Sequence, residues 1–364
     1  MLFHLCFLAF STIVAVTFFD EKITSRSQQK PFFQIILCCF LAQVAVMYIS
    51  RDIHGDTFRY LRAYDLLIGQ DVAVAVLQSG KELGFTLLSW LSANMGLGHR
   101  SYLTWIYVLG IVPFIAGLRR FYGDGWGYMF IIYVTFPFFL SYFASGTRQA
   151  IAMSIAFYAI IQYGYKQLLI RTLVGILFAA LFHLSVLVLL PALLSLHFFK
   201  NWLTLPRILA IWVFVVLVSA SGLNENVLGF LSGFFDDSSR YQYYLDTDKV
   251  AEVKALMGYQ TGFRIDFTLF SIIPVLFILY FERRTGIDLW LLKFYLIVNC
   301  AFQLLSFTAS NDRFAALSWF YLPIILVHSQ FYKYPMRSSK LAYYMLAFAG
   351  LALLALFNHR YFVS

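Results

Sequence analysis

The sequence predicts an all-α, polytopic integral membrane protein with about 12 transmembrane helices (roughly 11 to 13) and interfacial or re-entrant helices on its external face. Three observations predict this class. Of the 364 residues, 61% are apolar and only 12% are charged, whereas about a quarter of a soluble domain is charged. The mean hydropathy is +0.75. The charged residues form short clusters between apolar runs, many of them long enough to cross a bilayer.

The apolar runs place the expected spans along the chain. The first run lacks a basic start and an A-x-A site, so we expect a retained span and not a cleaved signal. The run 168–198 is split near His183, because a single span there would place the later basic loops outside the cell, against the positive-inside rule. The run 83–96 would break the alternation and is predicted to be re-entrant or interfacial. The spans are expected near 2–19, 31–50, 101–118, 127–143, 149–163, 168–182, 184–198, 207–222, 264–281, 288–308, 314–332 and 341–357.

The distribution of charge predicts the orientation of these spans. Short basic loops, such as the one with Arg119 and Arg120, alternate with loops that hold most of the carboxylates, nearly balanced by basic residues. The positive-inside rule places the basic loops in the cytoplasm. The segments 51–100 and 223–263 then become external loops of a single domain covering 1–364. No nucleotide-binding motif occurs. These features argue against a nucleic-acid module and against an enzyme that uses ATP or a nucleotide sugar.

The first polar cluster lies in the 51–100 loop. Asp56, Tyr60 and Tyr64 are four residues apart and would form one stripe on a helix. A carboxylate above aromatic rings can bind a sugar, because the rings stack on its C–H face. The alternative is an interfacial helix with an aromatic belt. The residues expected to face lipid are Phe58, Leu61 and Ile68.

Two further residues are candidates for a catalytic base. Glu82 directly precedes an apolar stretch and can be a base or a sugar ligand, or an acid favoured by a helix dipole. His183 lies between two apolar segments, where an imidazole can act as a base near neutral pH. The alternative for His183 is a hydrogen-bonded structural residue in a turn.

Three arginines are predicted at the external ends of spans. Thr147 is a candidate N-cap, and exposed N–H groups beside Arg148 would bind an anion. Arg264 can bind an anion or pair with Asp266, and Arg313 lies in a short turn. Snorkelling to the interface is the alternative for Arg148 and Arg313. Together the three guanidinium groups suit a lipid diphosphate, which needs several donors.

The 223–263 loop mixes aromatic, amide and charged side chains, as in a carbohydrate-binding surface. Its candidate sugar ligands are Arg240, Tyr241 and Tyr244, and the alternative is a solvated loop.

The ordered set of motifs resembles the EpsG-type polysaccharide polymerases, which are related in role to the Wzy-type O-antigen polymerases. The resemblance extends over about 260 residues of the chain. It rests on Asp56-x3-Tyr60-x3-Tyr64, Glu82 with Gly84-Phe85, Arg148-Gln149 leading to His183-x-Ser185, Gly262-Phe263-Arg264-x-Asp266-Phe267 and Asn311-Asp312-Arg313.

The resemblance implies an inverting glycosyltransferase of the bacterial inner membrane whose active site faces the periplasm or exterior. Its donor and acceptor would be oligosaccharide units on undecaprenyl diphosphate, and the growing chain would move to the non-reducing end of the incoming unit. We expect no cofactor, no metal and no nucleic-acid partner, and a chain-length regulator and a flippase are left open as partners. His183 is the first candidate for the base, with Asp56 and Glu82 as rivals.

Other functions remain open at this point. A flippase for lipid-linked oligosaccharide would need polar residues on both sides of the membrane. A membrane acyltransferase would need a route for a cytoplasmic acyl donor, and a structural assembly protein would not need arginines gathered at one face.

Overall fold

The computed structural model describes residues 55–144, 146–225, 262–281, 284–308 and 311–327, together with part of the 37–53 stretch. Regular structure in these ranges is helical throughout, which confirms the predicted all-α class for the described part of the chain. The chain divides into two compact units. The first unit comprises residues 1–186 and 329–364, and the second comprises residues 187–328.

The helices follow one another with short connections. Those of the first unit are α1 Gly55–Asp65, α2 Val72–Gln78, α3 Leu83–Asn94, α4 His99–Tyr122, α5 Trp126–Thr135, α6 Pro137–Ala144, α7 Thr147–Lys166 and α8 Leu169–Ala180. A short 3-10 helix, Leu184–Val188, comes next in the chain. Those of the second unit are α9 Leu189–Phe198, α10 Leu205–Ala220, α11 Ile265–Phe281, α12 Gly286–Leu304, α13 Asn311–Trp319 and α14 Leu322–Leu326.

Helix α7 forms the centre of the first unit and packs along both α4 and α8. Ala152, Ala156 and Phe157 on α7 are fully buried. A Cβ added at Gly117 of α4 would lie 2.7 Å from the Phe157 ring. A glycine is therefore what lets these two helices approach closely, as small residues do between membrane helices.

Helix α12 forms the centre of the second unit and packs against α9, α10 and α13. Its fully buried Asn299 accepts a hydrogen bond from the Trp212 indole N–H at 2.8 Å. The Asn299 amide donates to the hydroxyls of Ser271 at 3.1 Å and Ser318 at 3.0 Å. Four helices thus share one buried polar network, and a satisfied network of this kind fixes how they pack.

The outer surface of α8 is apolar, as expected for a helix in lipid. Ile170, Val174 and Phe178 follow one another at four-residue spacing, with exposed fractions of 76%, 60% and 52%. Among the described helices, α4 and α12 are long and apolar enough to cross a membrane, while α8, α10, α11 and the 184–198 stretch are shorter. A membrane protein is supported, and the total of about 12 spans stays a prediction.

The predicted single spans at 127–143 and 314–332 are wrong in detail, because each contains a helix break. The backbone at Phe136 is extended, with φ −70° and ψ 132°, and separates α5 from α6. The next residue is Pro137, which has no N–H and disfavours helical backbone at the residue before it. Helix α13 ends at Trp319, and α14 begins at Leu322 with Pro323 in its first turn. The described residues end at 327, within the second of these predicted spans.

The split near His183 is confirmed, because α8 ends at Ala180 and α9 begins at Leu189. The span predicted at 184–198 is a 3-10 helix followed by α9, with Pro191 in the first turn of α9, where its missing N–H is tolerated. Helix α3 has 12 residues and is about 18 Å long, too short to cross a hydrocarbon layer of about 30 Å. The spans predicted at 2–19 and 341–357 lie outside the described residues.

Candidate functional site

The predicted stripe on 56–64 lies on helix α1. Asp56 is in its first turn, 3.5 Å from the Arg59 guanidinium. Tyr60 and Tyr64 are buried, and the Tyr64 hydroxyl donates to the Leu97 carbonyl at 2.5 Å. The stripe therefore faces the protein and presents two tyrosines to the interior of the first unit.

One lipid-facing prediction on this helix is wrong. Phe58 and Ile68 are more than half exposed, as expected, but Leu61 is only 4% exposed. Leu61 directly follows Tyr60 and lies three residues before Tyr64, so it shares their inward side of the helix.

The centre of the candidate site is an ion pair between Arg148, at the start of α7, and Glu82, directly before α3. Arg148 Nη1 donates to Glu82 Oε2, and Arg148 Nε donates to the Tyr60 hydroxyl at 3.2 Å. The guanidinium lies 5.2 Å from the centroid of the Tyr60 ring and 5.8 Å from that of Phe85. The Arg148 and Glu82 side chains are only 14% and 9% exposed. Three segments distant in sequence thus meet in a shielded cluster.

Gly84 holds the Glu82 segment in place. The backbone N–H groups of Gly84 and Phe85 donate to the Leu181 carbonyl at 2.8 and 3.3 Å. A Cβ on Gly84 would lie 2.9 Å from both the Cβ and the carbonyl oxygen of Leu181, so this approach requires glycine. His183 follows Leu181 by two residues, and Glu82 precedes Gly84 by two. The contact therefore joins the segments of two of the three candidate bases.

His183 lies between α8 and the 3-10 helix. Its Nδ1 and the Ser185 hydroxyl are 2.7 Å apart, and the Ser185 N–H donates to the same nitrogen at 3.3 Å. This fits the alternative of a hydrogen-bonded turn and leaves the role of a base as a prediction.

The N-cap predicted at Thr147 is wrong. Helix α7 begins at Thr147 itself, Gly146 occupies the N-cap position, and no side chain caps the helix. The Thr147 hydroxyl is buried without a hydrogen-bond partner in the described part of the chain. The Arg148 side chain is paired with Glu82, and the anion site expected beside it stays a prediction.

A cavity of about 380 Å³ is bordered by Tyr60, to whose hydroxyl Arg148 donates, and by Lys81, which directly precedes Glu82. Its volume lies in the range of small-molecule sites, about 300 to 1,000 Å³. It is lined by Tyr60, Tyr64, Gln70, Gln78, Ser79, Lys81, Thr86 and Ser89, with Ala63, Leu66, Leu67 and Ala75 as apolar surface. Hydroxyls, amides and aromatic rings together are the groups that bind sugars.

Lys81, for which no role was predicted, also lines this cavity. Its Nζ lies 5.1 Å from the centroid of the Tyr60 ring. Burial, and secondarily the charge of Arg148, lower the pKa of Lys81 to about 8, and Glu82 opposes this shift. The sequence signal for Lys81 is a cation directly before Glu82, at the start of an apolar stretch.

The remaining predicted residues of the described chain lie in the second unit. The N–H of Gly262 and the side-chain amide of Asn311 both donate to the Ser306 carbonyl, at 3.0 and 2.9 Å. This brings the Gly262–Asp266 and Asn311–Arg313 segments together. Burial raises the pKa of Asp312, while the positive charges of Arg313 and Arg264 lower it.

Arg264 forms the local ion pair that was one of its two alternatives. Its Nε donates to Asp266 Oδ1 at 3.1 Å, and its guanidinium lies 3.7 Å from the centroid of the Phe267 ring. Arg148 belongs to the first unit and Arg264 and Arg313 to the second, so the shared diphosphate site stays a prediction. The predicted sugar ligands Arg240, Tyr241 and Tyr244 lie outside the described residues.

Comparison with known proteins gave one match. A family model described as the EpsG family matches residues 32–362, a range that includes each candidate site residue. Neither the search of curated proteins nor that of solved structures found a match. With the apolar helices, the family match indicates a membrane protein of polysaccharide biosynthesis, of a glycosyltransferase-like polymerase type. The chain belongs to the EpsG family.

Proposed function

We propose that this protein is a polysaccharide polymerase that joins oligosaccharide units carried on undecaprenyl diphosphate. The growing chain leaves its lipid diphosphate and is transferred to the non-reducing end of the incoming unit, with inversion at the anomeric carbon. The proposed location is the bacterial inner membrane, with the active site at the periplasmic or external face.

The Arg148–Glu82 pair beside the cavity of the first unit carries the proposal. The guanidinium fork matches phosphate oxygens, and the aromatic and hydroxyl-bearing wall suits a saccharide. A glycosyl donor with a diphosphate leaving group combines these two chemistries in one molecule. A shielded cation also stabilises the charge that develops on the departing diphosphate.

Inverting transfer requires a base for the proton of the acceptor hydroxyl. The oxygen of that hydroxyl bonds to the anomeric carbon, the bond from this carbon to the diphosphate oxygen breaks, and the base takes the proton. His183 remains the first candidate, because the Arg148 guanidinium already binds the Glu82 carboxylate and Asp56 lies 3.5 Å from Arg59.

The second unit supplies the other proposed cations. Arg264 and Arg313 would bind the diphosphate together with Arg148, and Tyr60, Tyr64, Arg240, Tyr241 and Tyr244 would bind sugars. The convergence of Gly262 and Asn311 on Ser306 supports a common role for the two arginine segments of that unit.

Reconstituted protein with lipid-linked repeat units tests the proposal. The wild type should produce a ladder of longer glycans, and Arg148→Ala should lose it while still inserting in the membrane. Arg119→Ala is the matched control, because Arg119 is exposed in the last turn of α4 and is predicted to be cytoplasmic. A full ladder from Arg148→Ala would contradict the site.

The same vesicles separate the rival functions. Movement of labelled lipid-linked units across the bilayer without elongation would identify a flippase. Transfer of an acyl group to a glycan, again without elongation, would identify an acyltransferase. Either result would refute the polymerase.

A further inference from the structure

Lys81 and Arg148 converge on a single aromatic ring. The Lys81 ammonium and the Arg148 guanidinium lie 5.1 and 5.2 Å from the centroid of the Tyr60 ring. Like charges repel, and the repulsion grows as burial excludes water. The tyrosine face offsets part of this cost by cation–π attraction. The Tyr60 ring alone does not neutralise two cations, so further negative charge is needed beside them.

Glu82 supplies one carboxylate to this pair of cations. It is bound by Arg148, and it lies next to Lys81 in the chain. With Lys81 protonated, the three residues carry one excess positive charge beside the cavity. A buried excess charge costs free energy until a counterion binds. The cavity that Lys81 lines is where a ligand would bring that counterion.

We propose that Lys81 is the second cation of an anion site in the first unit and that, with Arg148, it binds the diphosphate of the lipid-linked saccharide. The inference rests on the proposed function, which supplies the diphosphate. Arg148 offers a planar fork of donors, and Lys81 adds a compact point charge. The saccharide attached to the diphosphate would then enter the cavity between Tyr60 and Gln78.

The two cations differ in how they respond to pH. Guanidinium groups stay charged at all relevant pH values, whereas the pKa of Lys81 is lowered to about 8. The groups that face Lys81 are Glu82 beside it, Tyr60 on α1 and Arg148 on α7. Affinity for a diphosphate should therefore fall as pH rises from about 7 to about 9, because Lys81 loses its charge.

The proposal is tested by measuring the affinity of the full chain in detergent for farnesyl diphosphate by titration calorimetry. The wild type should bind roughly tenfold more weakly at about pH 9 than at about pH 7, because most Lys81 is then neutral. Lys81→Arg should bind equally well at both pH values. Lys81→Met should bind about ten- to a hundredfold more weakly at about pH 7 and show no pH dependence. Lys166→Met, an exposed lysine at the far end of α7, is the matched control and should behave as the wild type.

Several results would overturn the proposal. Lys81→Arg is the second test, because it keeps a cation at this position. A wild-type fall in affinity with pH in this variant excludes Lys81 as the titrating cation. Wild-type affinity in Lys81→Met excludes it as a ligand. A uronic-acid oligosaccharide is the second probe, and binding of this probe with Lys81 dependence, but not of farnesyl diphosphate, would identify an acidic sugar as the anion.

The inference and the proposed function can fail separately. A glycan ladder made at the wild-type rate by Lys81→Met would refute the inference and leave the polymerase standing. Lys81-dependent binding of farnesyl diphosphate in a wild-type protein that makes no ladder would retain the anion site and refute the polymerase.

Discussion

Replacing Gly84 with alanine should separate the start of α3 from the end of α8. The new Cβ would lie 2.9 Å from the Leu181 Cβ and carbonyl oxygen and 3.2 Å from its carbonyl carbon. Two of these three atoms belong to the backbone and cannot rotate away as the end of a side chain can. The start of α3 must therefore shift, and the Glu82 carboxylate two residues earlier would shift with it.

The size of the effect follows from the contacts at this position. Overpacking costs about 1 to 3 kcal/mol, and weakening the two hydrogen bonds to the Leu181 carbonyl costs about 1 kcal/mol each. The better helix propensity of alanine returns up to about 1 kcal/mol. We expect the free energy of unfolding to fall by about 2 to 4 kcal/mol and the Glu82–Arg148 pair to open.

Gly98→Ala is the matched control for this prediction. Gly98 is the N-cap of α4, with φ −69° and ψ 162°, and a Cβ there would meet nothing within 4 Å. Its substitution should cost less than about 1 kcal/mol. Scanning fluorimetry in detergent measures the stability of both variants, and the glycan ladder measures their activity. Equal stability and equal activity of Gly84→Ala and Gly98→Ala would contradict this prediction.

Three further substitutions address other parts of the molecule. Asn299→Leu should lower the free energy of unfolding by about 2 to 4 kcal/mol, because it leaves buried donors and acceptors unsatisfied; an unchanged melting temperature would contradict the role of the network. Tyr64→Phe should cost about 1 kcal/mol by removing the bond to Leu97, with the ring packing kept, as a denaturation curve would show. His183→Ala should slow elongation about 10²- to 10⁴-fold with little change in binding of farnesyl diphosphate, and a wild-type rate would move the base to Asp56 or Glu82.

Periodicity and charge alternation could predict part of this structure. The four-residue spacing of Asp56, Tyr60 and Tyr64 correctly indicated helix α1, because residues four apart share a helix face. The positive-inside rule required a break near His183, and α8 ends three residues before it. Both signals are local or additive along the chain, so they do not depend on which helices come to pack together.

The pairing of Glu82 with Arg148 could not be predicted in the same way. The two residues are 66 positions apart, and each carried several plausible local roles. Their contact depends on the packing of α3 against Leu181 at Gly84. This is a tertiary contact, and local sequence patterns do not predict it. At Thr147 a local pattern did make a prediction, an N-cap, and tertiary structure overrode it. The Thr147 side chain is buried, and Gly146 occupies the N-cap position.

The breaks at Phe136 and after Trp319 were missed for another reason. Hydropathy reports how apolar a run is and not whether its helix is continuous. Pro137 and Pro323 were visible in the sequence, but proline is tolerated in membrane helices when neighbouring groups satisfy the freed carbonyls. Pro113 and Pro274 lie inside the continuous helices α4 and α11. Whether a proline kinks a helix or ends it therefore depends on packing.

The charges of the first unit limit how Arg148 can bind a ligand. Removing one partner of a buried ion pair leaves an uncompensated charge, at a cost of about 3 to 5 kcal/mol. Arg148 can turn towards a phosphate without this cost only if another cation remains beside Glu82. Lys81 is the adjacent residue and is already held over the Tyr60 ring. Lys81 can therefore offset the charge of Glu82 when Arg148 turns, while its ammonium still borders the cavity in which the diphosphate would bind.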